Sequence, residues 1–302
     1  MATPALAVER AFSEHRPFLW SLLYRMCGDA ADAEDLVQET FVRALQHPPA
    51  RTDEPWRPWL VRVALNLGRD LLRRRRRRRY EGPWLPSPAE DPPAEPSLGP
   101  GARYDRMESV SLAFLLALEA LGPAQRAVLI LRDVLDYSVR ETAAALGLTP
   151  PNVKTTHLRA RRKMAAYDRA RRPPTSELRR QTRAALERFL LSLQSGDAAA
   201  VQSLLAEDVV SMADGGGEYA AARHPVAGRA RVASLMVGLS SRMRPSEAEV
   251  RELNGLPALV ARFDDVPPGW APRATLQVEL DEQGLIRRIY SVSATRKLCA
   301  LS

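Results

Sequence analysis

The sequence predicts a multidomain protein: two all-α helical domains, the second built on a helix-turn-helix, followed by a C-terminal α+β domain. Three observations lead there. Apolar residues recur at spacings of three and four before Arg79 and again between Glu108 and Arg172. Seven prolines between Pro83 and Pro100 part those two stretches and exclude a continuous helix. Beyond Pro173 and Pro174 an amphipathic helix gives way to short β-rich runs set between Gly, Pro and Asp turns. The expected bounds are 1–80 and 108–172 for the helical domains, 81–107 for the linker and 175–302 for the last domain.

Charge separates these parts. The chain of 302 residues carries a formal net charge of +8, and nearly all of the excess lies before Pro173. A polyanion partner therefore belongs to the helical half. Cys27 and Cys299 are far apart, the four histidines are isolated, and no cluster has metal-ligand spacing, so neither a structural metal nor a cofactor is expected. No apolar run approaches the roughly 18 residues that span a bilayer. The expectation is a cytoplasmic protein without membrane contact.

In chain order, Phe12, Phe18 or Leu19, Leu22 or Leu23 and Met26 mark a first helix that Gly28 ends. Asp29 is placed to cap the next, with Asp32 where a capping-box acid stands. Ala33, Val37, Thr40 or Phe41 and Ala44 form its apolar face, while Asp32, Asp35 and Glu39 form an acidic stripe. That stripe is either a solvated surface or the docking face for a basic protein.

Trp56 to Arg79 reads as a third helix with Pro58 in its first turn. Leu60, Val63 or Ala64, Leu67 and Leu71 face a core, and Arg62, Asn66, Arg69 and Arg73 form the opposite phase. Arginines on one face suit phosphates, and Trp56 and Trp59 offer flat surfaces to an unstacked base, unless both are core. In the linker, Trp84 and Leu85 are poor residues to leave in solvent, so GPWLPSP predicts a docking point on a neighbouring domain.

Glu108 to Ala120 and Pro123 to Leu135 predict two more helices, leading into SVRETAAALGLTPPNVKTTHLRARRKM. Ser138 and Glu141 suit a capping box, Gly147 a left-handed turn, and Thr149 a cap with Pro150 in the first turn of a recognition helix. Ala143 fits the crossing of the two helices and Val153 the anchor between them. Asn152, Lys154, Thr155, Arg159 and Arg162 are then the base and phosphate candidates. After Leu178 to Leu193, AAAVQSLLAEDVV predicts a short helix, and VVSMADGGGEYA, ALVARFD, ATLQVELD and GLIRRIYSVSA predict strands. A curved sheet closed by helices encloses a cone-shaped interior, either filled core or a small-molecule site.

Together, DAEDLVQETFVRAL, PWLVRVALNLGRDLLRR and ALGLTPPNVKTTHLRARRKM resemble bacterial sigma factors of the extracytoplasmic-function (ECF) group, over roughly Phe12 to Tyr167. The resemblance implies core RNA polymerase, through its β′ clamp helices and its β subunit, and promoter DNA as partners. It places Asp32, Glu34, Asp35 and Gln38 on the clamp helices. It gives the −10 element, with one flipped non-template base, to Trp56, Trp59, Arg62, Asn66, Arg69 and Arg73 and the loop before them. The helix-turn-helix would read the −35 element.

The remainder resembles one subgroup with a fused C-terminal SnoaL-like domain. Its marks are Trp84, Leu85 and Pro86 in the linker, Asp214, Gly215, Gly216 and Gly217, and the tail Arg296, Lys297 and Leu298. Ser87, Glu218, Ala294 and Thr295 depart from the subgroup's motifs, and Thr156 and His157 stand where Arg and Leu are frequent in recognition helices. The implied role of the last domain is regulation of the two DNA modules, with a small-molecule ligand as an open option. The competing readings are a ligand-sensing helix-turn-helix regulator and a DNA-tethered enzyme of the polyketide cyclase class with Asp214 as base.

Overall fold

The computed structural model describes residues 4–49, 55–77, 80–90 and 102–301. The middle of the proline-rich linker, part of the loop before Trp56, and Arg78 and Arg79 lie outside the described residues. The chain divides into two units: residues 1–79 with 92–171, and residues 80–91 with 172–302.

The first unit is helical. α1 (Pro4–Cys27), α2 (Ala30–Gln46) and α3 (Arg57–Arg77) follow one another closely. Leu19, Leu22, Leu23 and Met26 of α1 meet Ala33 and Val37 of α2 and Leu60, Val61, Ala64 and Leu65 of α3 in a core shut off from solvent. On α3 the buried phase ends at Leu72 and leaves Leu71 at its edge, one position from the expected stripe. Asp29 caps α2 by accepting from the Asp32 amide at 3.0 Å, and the Asp32 carboxylate is taken by Arg75 of α3.

The expected helix from Glu108 to Ala120 is split. Ser111 caps α4 (Leu112–Leu118) through the Phe114 amide, leaving one 3-10 turn, Glu108–Val110, before it. α5 (Pro123–Leu129) passes into a π-helical turn, Ile130–Val134. α6 (Val139–Leu146) and α7 (Pro150–Ala170) form the helix-turn-helix. The Ser138–Glu141 capping box closes both ways, at 2.7 and 3.1 Å, and Thr149 caps α7 at the Asn152 amide. Gly147 ends α6 at φ +63°, a conformation that costs a residue with a Cβ roughly 1–2 kcal/mol.

The second unit is α+β. α8 (Ser176–Gln194) and α9 (Ala198–Ser203) lead into a six-stranded sheet. Its strands are β1 (Leu205–Asp214), β2 (Val226–Ala227), β3 (Glu247–Leu253), β4 (Leu256–Arg262), β5 (Arg273–Leu280) and β6 (Ile286–Val292), with α10 (Arg229–Arg242) between β2 and β3. The order is β2-β1-β6-β5-β4-β3, antiparallel except for the β1–β6 pair. Phe189 and Leu186 of α8, Val232 and Met236 of α10, and Val278 and Ile289 of the sheet fill the interior.

Three features differ from expectation. AEDVV is strand: β1 pairs with β6 at Leu205 and again from Val210, with a register shift between them, and this long-range pairing overrides the helical periodicity. The predicted strand VVSMADGGGEYA ends at Asp214, where the glycine turn begins. β3 and α10 carry no expectation at all. β3 is an edge strand whose exposed glutamates hide its pattern, and the N-cap of α10, Gly228, offers no side chain to announce the helix.

Candidate functional site

On α2, Asp35, Gln38 and Glu39 are exposed. Glu34 pairs with Arg16 of α1 at 2.9 Å and Asp32 with Arg75, so two of the four acidic-helix candidates are held by neighbouring arginines. On α3, Arg62, Asn66 and Arg73 point to solvent. Arg69 does not share that environment: it is half-buried, and its guanidinium donates to the Leu146 carbonyl at the end of α6 at 3.4 Å.

Trp56 and Trp59 are half-buried at the start of α3. Trp56 joins Arg10, His15, Phe18, Pro55 and Arg57 in lining a cavity of about 660 Å3. The Arg57 guanidinium lies 3.9 Å from the centre of the Phe18 ring. Burial lowers the His15 pKa below the ordinary histidine value, Glu14 opposes the shift and Arg57 adds to it. The walls combine the Phe18 and Trp56 rings, which suit a flat heterocycle, with the Arg10 and Arg57 guanidiniums, which suit an anion. His15 and Phe18 were not among the sequence site candidates, since only the fold brings α1 beside Trp56; Arg57, next to Trp56 in the chain, was also missed.

On α7, Asn152, Lys154, Thr155, Arg159 and Arg162 are all exposed, on the side away from the buried Val153, Ala160 and Met164. Leu158, three residues on from Thr155, is 52% exposed and adds an apolar surface that sequence reasoning did not single out. His157 turns inward, its Nε2 lying 2.8 Å from Asp133 Oδ1.

The second unit holds the remaining candidates around one carboxylate. Asp214 ends β1 and is 1% exposed. It accepts from the Tyr80 hydroxyl at 2.6 Å, the Leu85 amide at 2.8 Å, the Gly216 amide at 3.0 Å and Lys297 Nζ at 2.6 Å. Lys297 also donates to the Leu85 carbonyl, and its Nζ lies 4.4 Å from the Trp84 ring centre and 5.0 Å from that of Tyr80. Leu85, Pro86 and the next three residues are buried. The Asn254 amide donates to the Ala89 carbonyl, the Ala89 amide donates to Asn254 Oδ1, and Glu90 pairs with Arg251. The segment Tyr80–Glu90 is thus packed along the second unit, pinned at one end by Asp214 and Lys297 and at the other by the β3–β4 turn.

The glycine run makes this possible. A Cβ on Gly215 would lie 2.5 Å from the Tyr219 carbonyl oxygen, and one on Gly216, at φ +66°, 2.7 Å from the Ala294 Cβ. Of the anchoring partners, Tyr80, Asn254 and Arg251 escaped the sequence reading. The Asn254-Gly255 pair, with both φ positive between two β-rich runs, is the local signal that would have revealed the hairpin. Among the described residues no group of His, Cys, Asp and Glu is placed to hold a metal, and no helix is long and apolar enough to cross a membrane.

An acidic helix, an arginine helix and a helix-turn-helix, in this order, define the class: residues 11–78 match the family Sigma-70 region 2, and residues 111–164 match Sigma-70, region 4. The chain is 32% identical over 242 residues to the ECF RNA polymerase sigma factor SigJ of Mycobacterium tuberculosis, covering 78% of this chain and 73% of that protein. It belongs to the ECF sigma factor family and is an RNA polymerase sigma factor. It is also 40% identical over 197 residues to SigG of the same organism, with 55% of this chain and about half of that protein, 52%, aligned. The crystal structure of M. tuberculosis SigJ superposes with a TM-score of 0.71 over 96% of this chain and 98% of that one, at 24% identity, and shares its fold. Sigma factors bind core RNA polymerase and promoter DNA.

Proposed function

We propose that α2 docks on the clamp helices of the polymerase β′ subunit through Asp35 and Gln38, joined by Asp32 and Glu34 as Arg75 and Arg16 yield them, while residues 108–172 engage the β subunit. Arg62, Asn66, Arg69 and Arg73 track the −10 strand, with Trp56 and Trp59 as stacking surfaces. The flipped base enters the cavity beside Trp56. Unstacking costs a few kcal/mol, and one aromatic stack returns roughly 1–3 kcal/mol, so a cavity walled by Trp56 and Phe18 is matched to the task. Asn152, Lys154, Thr155, Arg159 and Arg162 read the −35 element. The observation that carries this reading is the outward polar face of α7, free of the core that its other face builds.

The second unit acts as a regulator in this reading, through the length of chain that joins the two DNA modules. With Tyr80–Glu90 pinned, the stretch left to connect to residues 108–172 is 91–107, or at most roughly 56 Å extended. Releasing Trp84, Leu85, Pro86 and their neighbours from Asp214 and the Gly215–Gly217 turn frees roughly 36 Å more of extended chain. A bivalent reader depends steeply on such a span. The catalytic alternative is weaker, because the Asp214 carboxylate already accepts from four donors and a general base needs a free lone pair facing its substrate.

In vitro transcription with core polymerase tests both parts. The full chain is expected to direct start-site-specific transcripts from promoters it selects out of a random library, and Arg159→Ala to abolish that selection. Deleting residues 175–302 should change polymerase binding or transcript yield; unchanged values for both would refute the regulatory part.

A further inference from the structure

The inward turn of His157 assigns it a task that the DNA-facing residues do not perform. It sits at the middle of α7, between the exposed Thr155 and Arg159, yet its ring meets Asp133 at 2.8 Å, with side chains only 17% and 8% exposed. Asp133 lies in the π-helical turn Ile130–Val134, and its backbone carbonyl accepts from the amides of Arg103 at 2.8 Å and Tyr104 at 3.0 Å. Its second carboxylate oxygen is buried without a hydrogen-bond partner. The Tyr104 hydroxyl, in turn, donates to Asp168 near the end of α7 at 2.8 Å. The recognition helix is therefore gripped at two levels, His157 and Asp168, by one turn and the segment beside it.

Apolar burial of Val153, Ala160 and Met164 is non-directional, and the polar ties through Lys163, Tyr167, Asp168 and Arg171 lie toward the C-terminal end of α7. His157 supplies a directional bond beside the DNA-facing residues themselves. A roll of about 20° moves a side-chain tip about 5–6 Å from the helix axis by about 2 Å, enough to break a bidentate base contact. We infer that His157, through Asp133, is a positioning residue that fixes the roll of α7 and so sets which −35 bases Lys154, Thr155, Leu158 and Arg159 reach. The inference rests on the reading of α7 as the −35 reader.

The test is selection of −35 sequences from a library randomised over that element, using holoenzyme assembled from core polymerase and the full chain. Wild type should enrich one motif. His157→Leu and Asp133→Ala should each weaken discrimination for that motif by about tenfold, the cost of one mis-set base contact, and the double variant no further. His157→Gln, which keeps an N–H able to reach Asp133, and Asp133→Asn, which keeps an acceptor for it, should each retain most of it. Circular dichroism melts show that each variant is folded. Asp133 is buried away from any DNA surface, so an equal effect from both sides marks positioning rather than a base contact by His157 itself. If folded His157→Leu and Asp133→Ala select the wild-type motif with wild-type strength, or if Asp133→Ala alone is silent, the positioning role is overturned. If wild type enriches no motif, the reading of α7 fails instead.

Discussion

Replacing Lys297 by Met removes one charge from a pair that has almost no access to water. The Lys297 and Asp214 side chains are 5% and 0% exposed, and their charged atoms are 2.6 Å apart. Breaking a buried pair from one side costs about 3–5 kcal/mol, because the remaining charge is stranded. Here the Tyr80 hydroxyl and the Leu85 and Gly216 amides still reach Asp214, so the lower end, about 3 kcal/mol, is expected. In a unit of this size that lowers the melting temperature by roughly 10 °C. Lys297 also carries the Leu85 carbonyl and lies against Trp84, so the loss should fall on the Tyr80–Glu90 segment first. Scanning calorimetry measures the stability change, and hydrogen exchange at the Leu85 amide reports the undocking. The double variant Asp214→Asn with Lys297→Met removes both charges while keeping an acceptor for Leu85, and should be less destabilised than the sum of the singles by about 2 kcal/mol. If Lys297→Met melts within 1 °C or so of wild type, and Leu85 exchanges no faster, the anchor is not what holds the segment.

Other outcomes follow from single features. Gly216→Ala should destabilise the second unit more than Gly217→Ala, since both require positive φ but only the first drives a Cβ to 2.7 Å from Ala294; thermal melts should rank them so, with the second losing about 1–2 kcal/mol. Burial pushes the Cys27 thiol up to about 12, whereas Cys299 is exposed, so titration with a thiol reagent at neutral pH should label one cysteine in the folded chain and two in denaturant. Burial raises the Glu108 pKa above the usual carboxylate value, against the opposing pull of the Tyr167 hydroxyl and Arg171. A raised folded pKa contributes stability below the unfolded value that is lost as pH climbs through the folded one. The first unit should therefore lose stability as pH rises from the ordinary carboxylate range through the Glu108 value, and Glu108→Gln should flatten that part of a melting-temperature profile.

Much of the fold was legible because its signals are local. The caps at Asp29, Ser138 with Glu141, and Thr149 each join residues three apart, and Gly147 declares its own turn. The outward faces of α2 and α7 were legible for the same reason, since helical phase fixes which side chains share a side. What escaped depends on partners distant in the chain. Strand β1 replaced helix because β6 lies about eighty residues on, and the edge strand β3 gains its regularity only from β4. Asp214 and Lys297 are 83 residues apart, and no spacing rule joins them.

Arg69 shows where the two kinds of information meet. Helical phase put it beside Arg62 and Arg73 as a phosphate contact, and the phase was correct to within one position. The structure instead spends its guanidinium on the carbonyl that ends α6, an orphan group of the kind every helix terminus leaves. On the proposed reading, a phosphate offering a charge-assisted bond would draw the arginine off this long one at little cost. One guanidinium would then serve the free chain at the end of α6 and the promoter complex at a phosphate. DNA capture along α3 is therefore expected to loosen a contact to the helix-turn-helix.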